Sequence, residues 1–233
     1  HEIEIPVPAA EPPREHRPKR ARMKIWASEP RGAFRASLLV GVLASAQLPA
    51  QTVDDSTRNA ARELASQAAE AYDKGDYERS RDLYHRAYAL VPAPTLSLRE
   101  ARALDKLGKL VEAVEAYVRT WRAQLTPTSP EAFRLAVQAA EEELAKLRPR
   151  VPKLEVSLDG AEASATSVTL DGKAIKPALI GVARPVNPGT HEIEAITNGK
   201  SGRASVTLAE GESKAITVKL TDDPDAVAPA ASG

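Results

Sequence analysis

The 233-residue chain contains no cysteine, which excludes disulfides, thiolate metal ligands, a cysteine nucleophile and a lipid-modified N-terminal cysteine together. Net charge is missing too. Lys+Arg and Asp+Glu number 32 each, so no single-sign field draws the chain to nucleic acid or to an anionic membrane. Aromatics are 4% of the residues while alanine is abundant. Cores must therefore be built from Ala, Leu and Val with a few Tyr and Trp as fillers, a composition suited to closely packed helices. Histidine numbers four, and only His85 and His191 fall in expected structure, with no carboxylate or second His at ligand spacing. There is no Gly-rich phosphate loop and no nucleophile elbow. Asp159 and Asp171 are each followed by Gly, first of all a turn signal, so they are not read with Asp222 and Asp223 as a calcium site. Together these absences point away from an enzyme and from any cofactor or metal.

Long apolar runs are also lacking. The one uninterrupted run, ASLLVGVLASA over Ala36–Ala46, is far short of the ~20 residues a membrane-crossing helix needs. It follows Met23, the only Met, and the basic residues Lys24, Arg31 and Arg35, and it ends in Ala44-Ser45-Ala46, a cleavage pattern before Gln47. Leu48-Pro49-Ala50 before Gln51 offers a second one. Residues 23–50 therefore read as a secretory signal, and residues 1–22, rich in Pro and charge, as a disordered or non-native upstream segment. The expectation is an exported protein, periplasmic or extracellular, with no membrane span in the mature chain.

From 55 to 149 the apolar residues recur at helical spacing, broken at Gly75, Pro92 and Pro94, Gly108, and Pro127 and Pro130. Five helices are expected, the fifth capped by Thr128 or Ser129 with Pro130 in its first turn. Its Glu141-Glu142-Glu143 reads as a solvated face. An internal repeat is visible: Gly75 to Gly108, Ser80 to Ala113 and Tyr84 to Tyr117 are each 33 apart. Small residues at Ala68, Ser80, Ala87, Ala101 and Ala113 let helices approach while Tyr84 and Tyr117 fill the space between adjacent pairs, and Leu64 and Tyr77 lie on the apolar faces of the first two helices.

The unit made by Ala68, Gly75, Tyr77, Ser80, Tyr84, Ala87 and Pro92 resembles the tetratricopeptide (TPR) repeat. In its second copy Gly108, Ala113 and Tyr117 recur, with Thr120 and Leu125 where the first copy has Ala87 and Pro92. The resemblance implies helical hairpins and a concave face, built from the first helix of each pair, that binds an extended peptide or partner protein. By repeat phase that face carries Arg62, Ala69, Tyr72 and Asp73 from one helix and Leu98, Arg102, Asp105 and Lys106 from the other.

After Pro149-Arg-Val-Pro152 the period switches to two: Leu154/Val156/Leu158, Val168/Leu170, Val182 to Val186, Ile193/Ala195, Val206/Leu208 and Ile216/Val218/Leu220. Turn signals separate them at Asp159-Gly160, Asp171-Gly172, Asn187-Pro-Gly189, Asn198-Gly199 and Glu210-Gly211. About six strands over 151–221 are expected to form a small antiparallel β-sandwich. The prolines at 149 and 152 are expected to act as a hinge between independent halves, and 222–233 as a disordered tail. Val168-Thr-Leu-Asp-Gly172, followed by Pro188-Gly-Thr-His-Glu-Ile-Glu194, resembles the PEGA-type and carboxypeptidase-regulatory-like β domains.

The fold expected is thus multidomain, α then β: a short TPR-like hairpin array followed by a small β-sandwich. A signal segment, a short repeat array and a PEGA-like domain together resemble secreted bacterial proteins. The function expected is non-enzymatic protein–protein interaction or scaffolding through the concave face. The alternative is a cell-envelope module whose β domain binds glycan or wall polymer with the repeats as spacer, and a third is a regulatory domain for a separate enzyme. The β half has no Trp, Tyr or Phe to serve as a glycan platform.

Overall fold

The computed structural model describes residues 54–226. The expected signal segment over 23–50, the segment 1–22 and the end of the tail lie outside the described residues.

The described helices are α1 (Asp55–Asp73), α2 (Tyr77–Leu90), α3 (Pro94–Lys106), α4 (Leu110–Trp121) and α5 (Glu131–Leu147). Asp54 accepts from the backbone N–H of Thr57 and Asp76 from that of Arg79, so α1 and α2 begin on side-chain caps. Helix α3 begins instead on Pro94, whose missing N–H would have had no partner there. Helix α5 departs from expectation: Pro130 itself is the cap residue, and the Ser129 hydroxyl accepts from the Thr126 N–H rather than from the helix.

The 33-residue repeat is geometric as well as textual. Helix α1 ends with the Asp76 N–H on the Ala71 carbonyl and the Gly75 N–H on the Tyr72 carbonyl. Helix α3 ends on the same pair, Lys109 to Leu104 and Gly108 to Asp105, with both glycines at positive φ. Ala68 and Ala101, Ser80 and Ala113, and Tyr84 and Tyr117 are buried alike. At the second copy's Thr120, the hydroxyl donates to the Ala116 carbonyl and pairs with Ser97 at 2.7 Å, so a polar residue sits satisfied where the first copy has alanine. Helix α5 lays Ala136, Ala140, Leu144 and Leu147 over α3 and α4.

The eight described strands are β1 (Lys153–Asp159), β2 (Ser167–Leu170), β3 (Lys173–Ile175), β4 (Arg184–Pro185), β5 (Gly189–Thr197), β6 (Lys200–Leu208), β7 (Ser213–Lys219) and β8 (Thr221–Asp222). They form one sheet in the order β4-β1-β7 and another in the order β3-β2-β5-β6-β8, and both sheets send side chains to one core, Leu154, Val156 and Val218 meeting Val168, Ile193 and Leu208. The antiparallel expectation holds throughout the five-stranded sheet and fails in the smaller one, where β1 and β7 run parallel from Lys153↔Ser213 to Asp159↔Lys219. A parallel pair needs a long crossover, and here everything from β2 to β6 serves as that connection. The expected strand over Val182–Val186 shrinks to two residues, with Val182 exposed. The tail expected to be disordered from Asp222 begins in order, because β8 pairs with β6 and the Asp223 carboxylate accepts from Ser201.

The Pro149–Pro152 junction is tied rather than free. The Arg150 guanidinium bridges Asp105 on α3 and Glu210 before β7, and its carbonyl accepts from the Gly211 N–H. Nearby, Asn187 reaches from the β half to α4: its Oδ1 accepts from the Val111 N–H at 2.9 Å and its Nδ2 donates to Glu112. Helix α4 has no side-chain cap of its own, so the β domain supplies it. Among the described residues no helix is long and apolar enough to cross a membrane.

Candidate functional site

The residues assigned to the concave face lie on α1 and α3, and the structure sorts them into three groups. Arg62, Asp73 and Lys106 are exposed, Arg62 turning its guanidinium to Asn59. Ala69 and Tyr72 are half-buried, and the Tyr72 ring meets Tyr77 edge-on at 5.1 Å. Leu98 is buried in the core with α4 and α5 and presents no side chain to a partner; its place near the middle of α3 faces inward.

Arg102 and Asp105 are engaged within the chain. Arg102 binds the Glu143 carboxylate of α5 with two nitrogens, its Nε at 3.0 Å from Oε2. The Tyr117 hydroxyl donates to the same oxygen at 2.8 Å. Asp105 takes Arg150 at 2.8 Å. Glu143 is therefore not part of a solvated face as its sequence suggests: α5 turns it inward while Glu141 and Glu142 stay exposed. Burial pushes the Glu143 carboxyl up, but the hydrogen bonds from Arg102 and Tyr117 outweigh it and hold the group below the usual carboxylate range. Burial and the bond to Glu143 push the Tyr117 phenol well up.

Between α1, α2 and α3 lies a pocket of 100 Å³ lined by Tyr72, Tyr84, Arg99 and Arg102. Tyr84 is 1% exposed, and its hydroxyl has no hydrogen-bond partner. Burial is the main cause that pushes its phenol up, with the Arg99 guanidinium nearby pulling the other way. Arg99 is exposed and makes no ion pair among the described residues. Sequence reasoning assigned Tyr84 to packing and did not single out Arg99 at all.

The opposite face holds a second polar cluster that the sequence did not reveal. Glu100 is 4% exposed, held by Arg119 at 2.5 Å and by His85 Nδ1 at 2.9 Å, and Arg119 stacks over the Tyr88 ring at 4.7 Å. His191, in turn, is buried, its Nδ1 at 2.7 Å from Asp171 and its Nε2 at 2.7 Å from the Asn187 carbonyl. Each of these histidines thus has the carboxylate that sequence spacing did not provide. Asp171 sits at φ 51 in a tight turn and also accepts from the Glu192 N–H, so this trio fixes the loop that carries Asn187 to α4. Among the described residues no group of three or more His, Asp or Glu is placed to hold a metal ion. No protein-family model matches this chain, and a search of curated proteins finds none similar to it.

Proposed function

We propose that the chain is an exported, non-enzymatic interaction or scaffolding protein that takes an extended segment of a partner protein along the groove of α1 and α3. The observation that carries this reading is the pocket between α1, α2 and α3, lined by Tyr72, Tyr84, Arg99 and Arg102, on helices whose exposed charges include Arg62, Asp73, Arg99 and Lys106. The likeness of the 33-residue unit to TPR repeats supports the same face, and the PEGA-like segment supports a secreted setting. Because the exposed charges are of both signs and solvated, each contributes at most about 1 kcal/mol. Affinity is accordingly micromolar and falls with salt. The β half acts as a brace: it caps α4 and holds Asp105 through Arg150, fixing the floor of the groove.

The test is a photo-cross-linking amino acid at Asp73, and separately at Thr207 on the outer sheet face, in the full chain made in its own cells. Partner protein captured through Asp73, and reduced by Arg62→Ala with Lys106→Ala at unchanged melting temperature, is the expected result. Capture through Thr207 alone overturns the groove and leaves the envelope-binding reading in its place.

A further inference from the structure

One loop of the β half keeps its apolar side chains in water. Between β3 and β4, the residues from Pro177 to Ala183 are all exposed except Ile180, with Leu179 40% and Val182 48% accessible. The loop is held in this form by its own backbone. Its short helical turn, Pro177–Leu179, closes with the Ile180 N–H on the Pro177 carbonyl, and the Gly181 N–H donates to the Val156 carbonyl of β1 at 2.8 Å. Ile180 packs on the two-sheet core, and Gly181, at φ 74, turns the chain so that Val182 stays in solvent. Contiguous exposed apolar surface of this kind marks an interaction site, as single exposed residues do not.

The loop also has a direction and a charge of its own. β4 lies beside Lys153 and Leu154 at the start of β1, Gly181 beside Val156, and the turn Pro177–Leu179 against the turn Ala163–Ala165 that follows β1. It therefore runs from the junction with the helices toward the opposite end of the β half. Although the whole chain is neutral, Gly172 to His191 contain no Asp or Glu and three cations, Lys173, Lys176 and Arg184. Lys173 is near enough to Asp171 to interact with its charge. Lys176 and Arg184, at the two ends of the loop, make no ion pair among the described residues. The carboxylates on the elements beside the loop, Glu155 and Asp159 on β1 and Glu162 before the turn Ala163–Ala165, pair with neither.

We propose that this loop is a docking tip for an anionic lipid surface: Leu179 and Val182 enter the boundary between headgroups and acyl chains, and Lys176 and Arg184 meet lipid phosphates on either side. A loop exposed all round offers no recess for a protein side chain to fill, whereas a fluid interface closes around a projecting apolar tip. Lys and Arg suit the flanks, because their stems lie along apolar surface while their charges stay at headgroup level. Two apolar side chains and two cations give weak, reversible binding, each cation contributing at most about fivefold. Docking at this end leaves the helical half turned away from the lipid, so the proposal does not depend on what the groove binds.

The test uses the absence of cysteine, which makes any introduced thiol unique. The full chain carries an environment-sensitive fluorophore on Ala178→Cys or, as control, on Thr207→Cys, and is titrated with vesicles of phosphatidylglycerol and phosphatidylcholine in equal parts, or of phosphatidylcholine alone. The readout is local, so lipid binding by another part of the chain does not register at the loop. The label at 178 is expected to shift to the blue with the anionic vesicles and to be quenched by bromine-substituted acyl chains, while the label at 207 does neither. Leu179→Ser with Val182→Ser should abolish the shift at an unchanged melting temperature, and Lys176→Gln with Arg184→Gln should weaken it roughly tenfold at low salt. If the serine variant fails to fold, quenching of the label in the otherwise unaltered loop decides by itself. No shift at 178, equal shifts at 178 and 207, or a shift that survives the serine variant overturns the docking tip. A response as strong to phosphatidylcholine alone overturns the anionic assignment. A shift that grows with protein concentration before lipid is added shows that a second copy of the chain covers the loop, and overturns the proposal as well. Cross-linking through Asp73 is unaffected by any of these results and tests the groove separately.

Discussion

Two tyrosines in equivalent positions differ in what their hydroxyls do, and that difference predicts opposite responses to the same substitution. Tyr117 donates to an ionised carboxylate, a class of bond that contributes about 1.5–3 kcal/mol. Tyr117→Phe should therefore lower stability by roughly that amount in urea unfolding, while Tyr84→Phe should be neutral or slightly stabilising because its hydroxyl is unpartnered. Equal losses at both sites would mean that the two hydroxyls are equally satisfied. Glu143 adds a pH dependence. Its folded-state ionisation lies below the ordinary value of 4.5, so the stability it contributes is fully present above about pH 4.5 and is lost as pH falls through the folded value. Asp171 and Glu210 act in the same direction, Glu210 through its hydrogen bonds from Arg150 and Asp171 through His191 and the Glu192 N–H, which outweigh burial. Glu143→Gln should flatten, though not remove, the fall in melting temperature between pH 6 and 3, read by thermal unfolding across that range (roughly the carboxylate window).

At the scale of elements, what is local was legible and what is distant was not. Every helix break falls where Gly75, Gly108 or a proline marks it, because helix termination is decided within one turn. The repeat offset also survived, since equal spacing of Ala and Tyr puts equal residues in equal cores. By contrast the acceptor of Arg102 lies 41 residues away, the acceptor of the Val111 N–H 76 away, and β7's neighbour β1 across the whole β half. No window of sequence contains both partners, so Glu143 looked solvated and Asn187 looked like a hairpin turn. The short strands β3 and β8 are too brief to show alternation. Gly202 was equally silent. It lies inside β6 where the Lys219 backbone crosses, and an added Cβ would come 2.5 Å from the Lys219 carbonyl oxygen. Because that atom is backbone, Gly202→Ala must displace β6 or the end of β7, and a cost of about 1–3 kcal/mol in denaturant unfolding is expected. A wild-type-like midpoint would place the two strands farther apart than described.

For the molecule as a whole, the question is whether the helical and β halves unfold as one body. Prolines at 149 and 152 favour two, since neither helix nor strand continues through them. Against this stand specific ties: Arg150 holds Asp105 and Glu210, its carbonyl holds Gly211, and Asn187 caps α4 from the far side of the junction. The cap is the stronger device. It satisfies a helix N–H that has no side-chain partner within α4, and loss of such a cap costs about 1 kcal/mol, with the Asn187 to Glu112 bond lost besides. The Arg150 contacts are partly solvated, so each is worth less, but they anchor the chain where it leaves α5. His191 and Asp171 keep the cap aimed by fixing the Asn187 carbonyl and the turn opposite it. If these ties couple the halves, helix melting followed by circular dichroism and loss of β-strand amide signals in NMR should share one urea midpoint in the wild-type chain. Asn187→Ala with Arg150→Ala should separate them, the helical half unfolding first, because α4 loses its only side-chain cap while the two-sheet core around Leu154, Ile193 and Val218 is untouched. Two separate transitions in the wild-type chain would show instead that the prolines win and that the junction positions the halves without joining their stabilities.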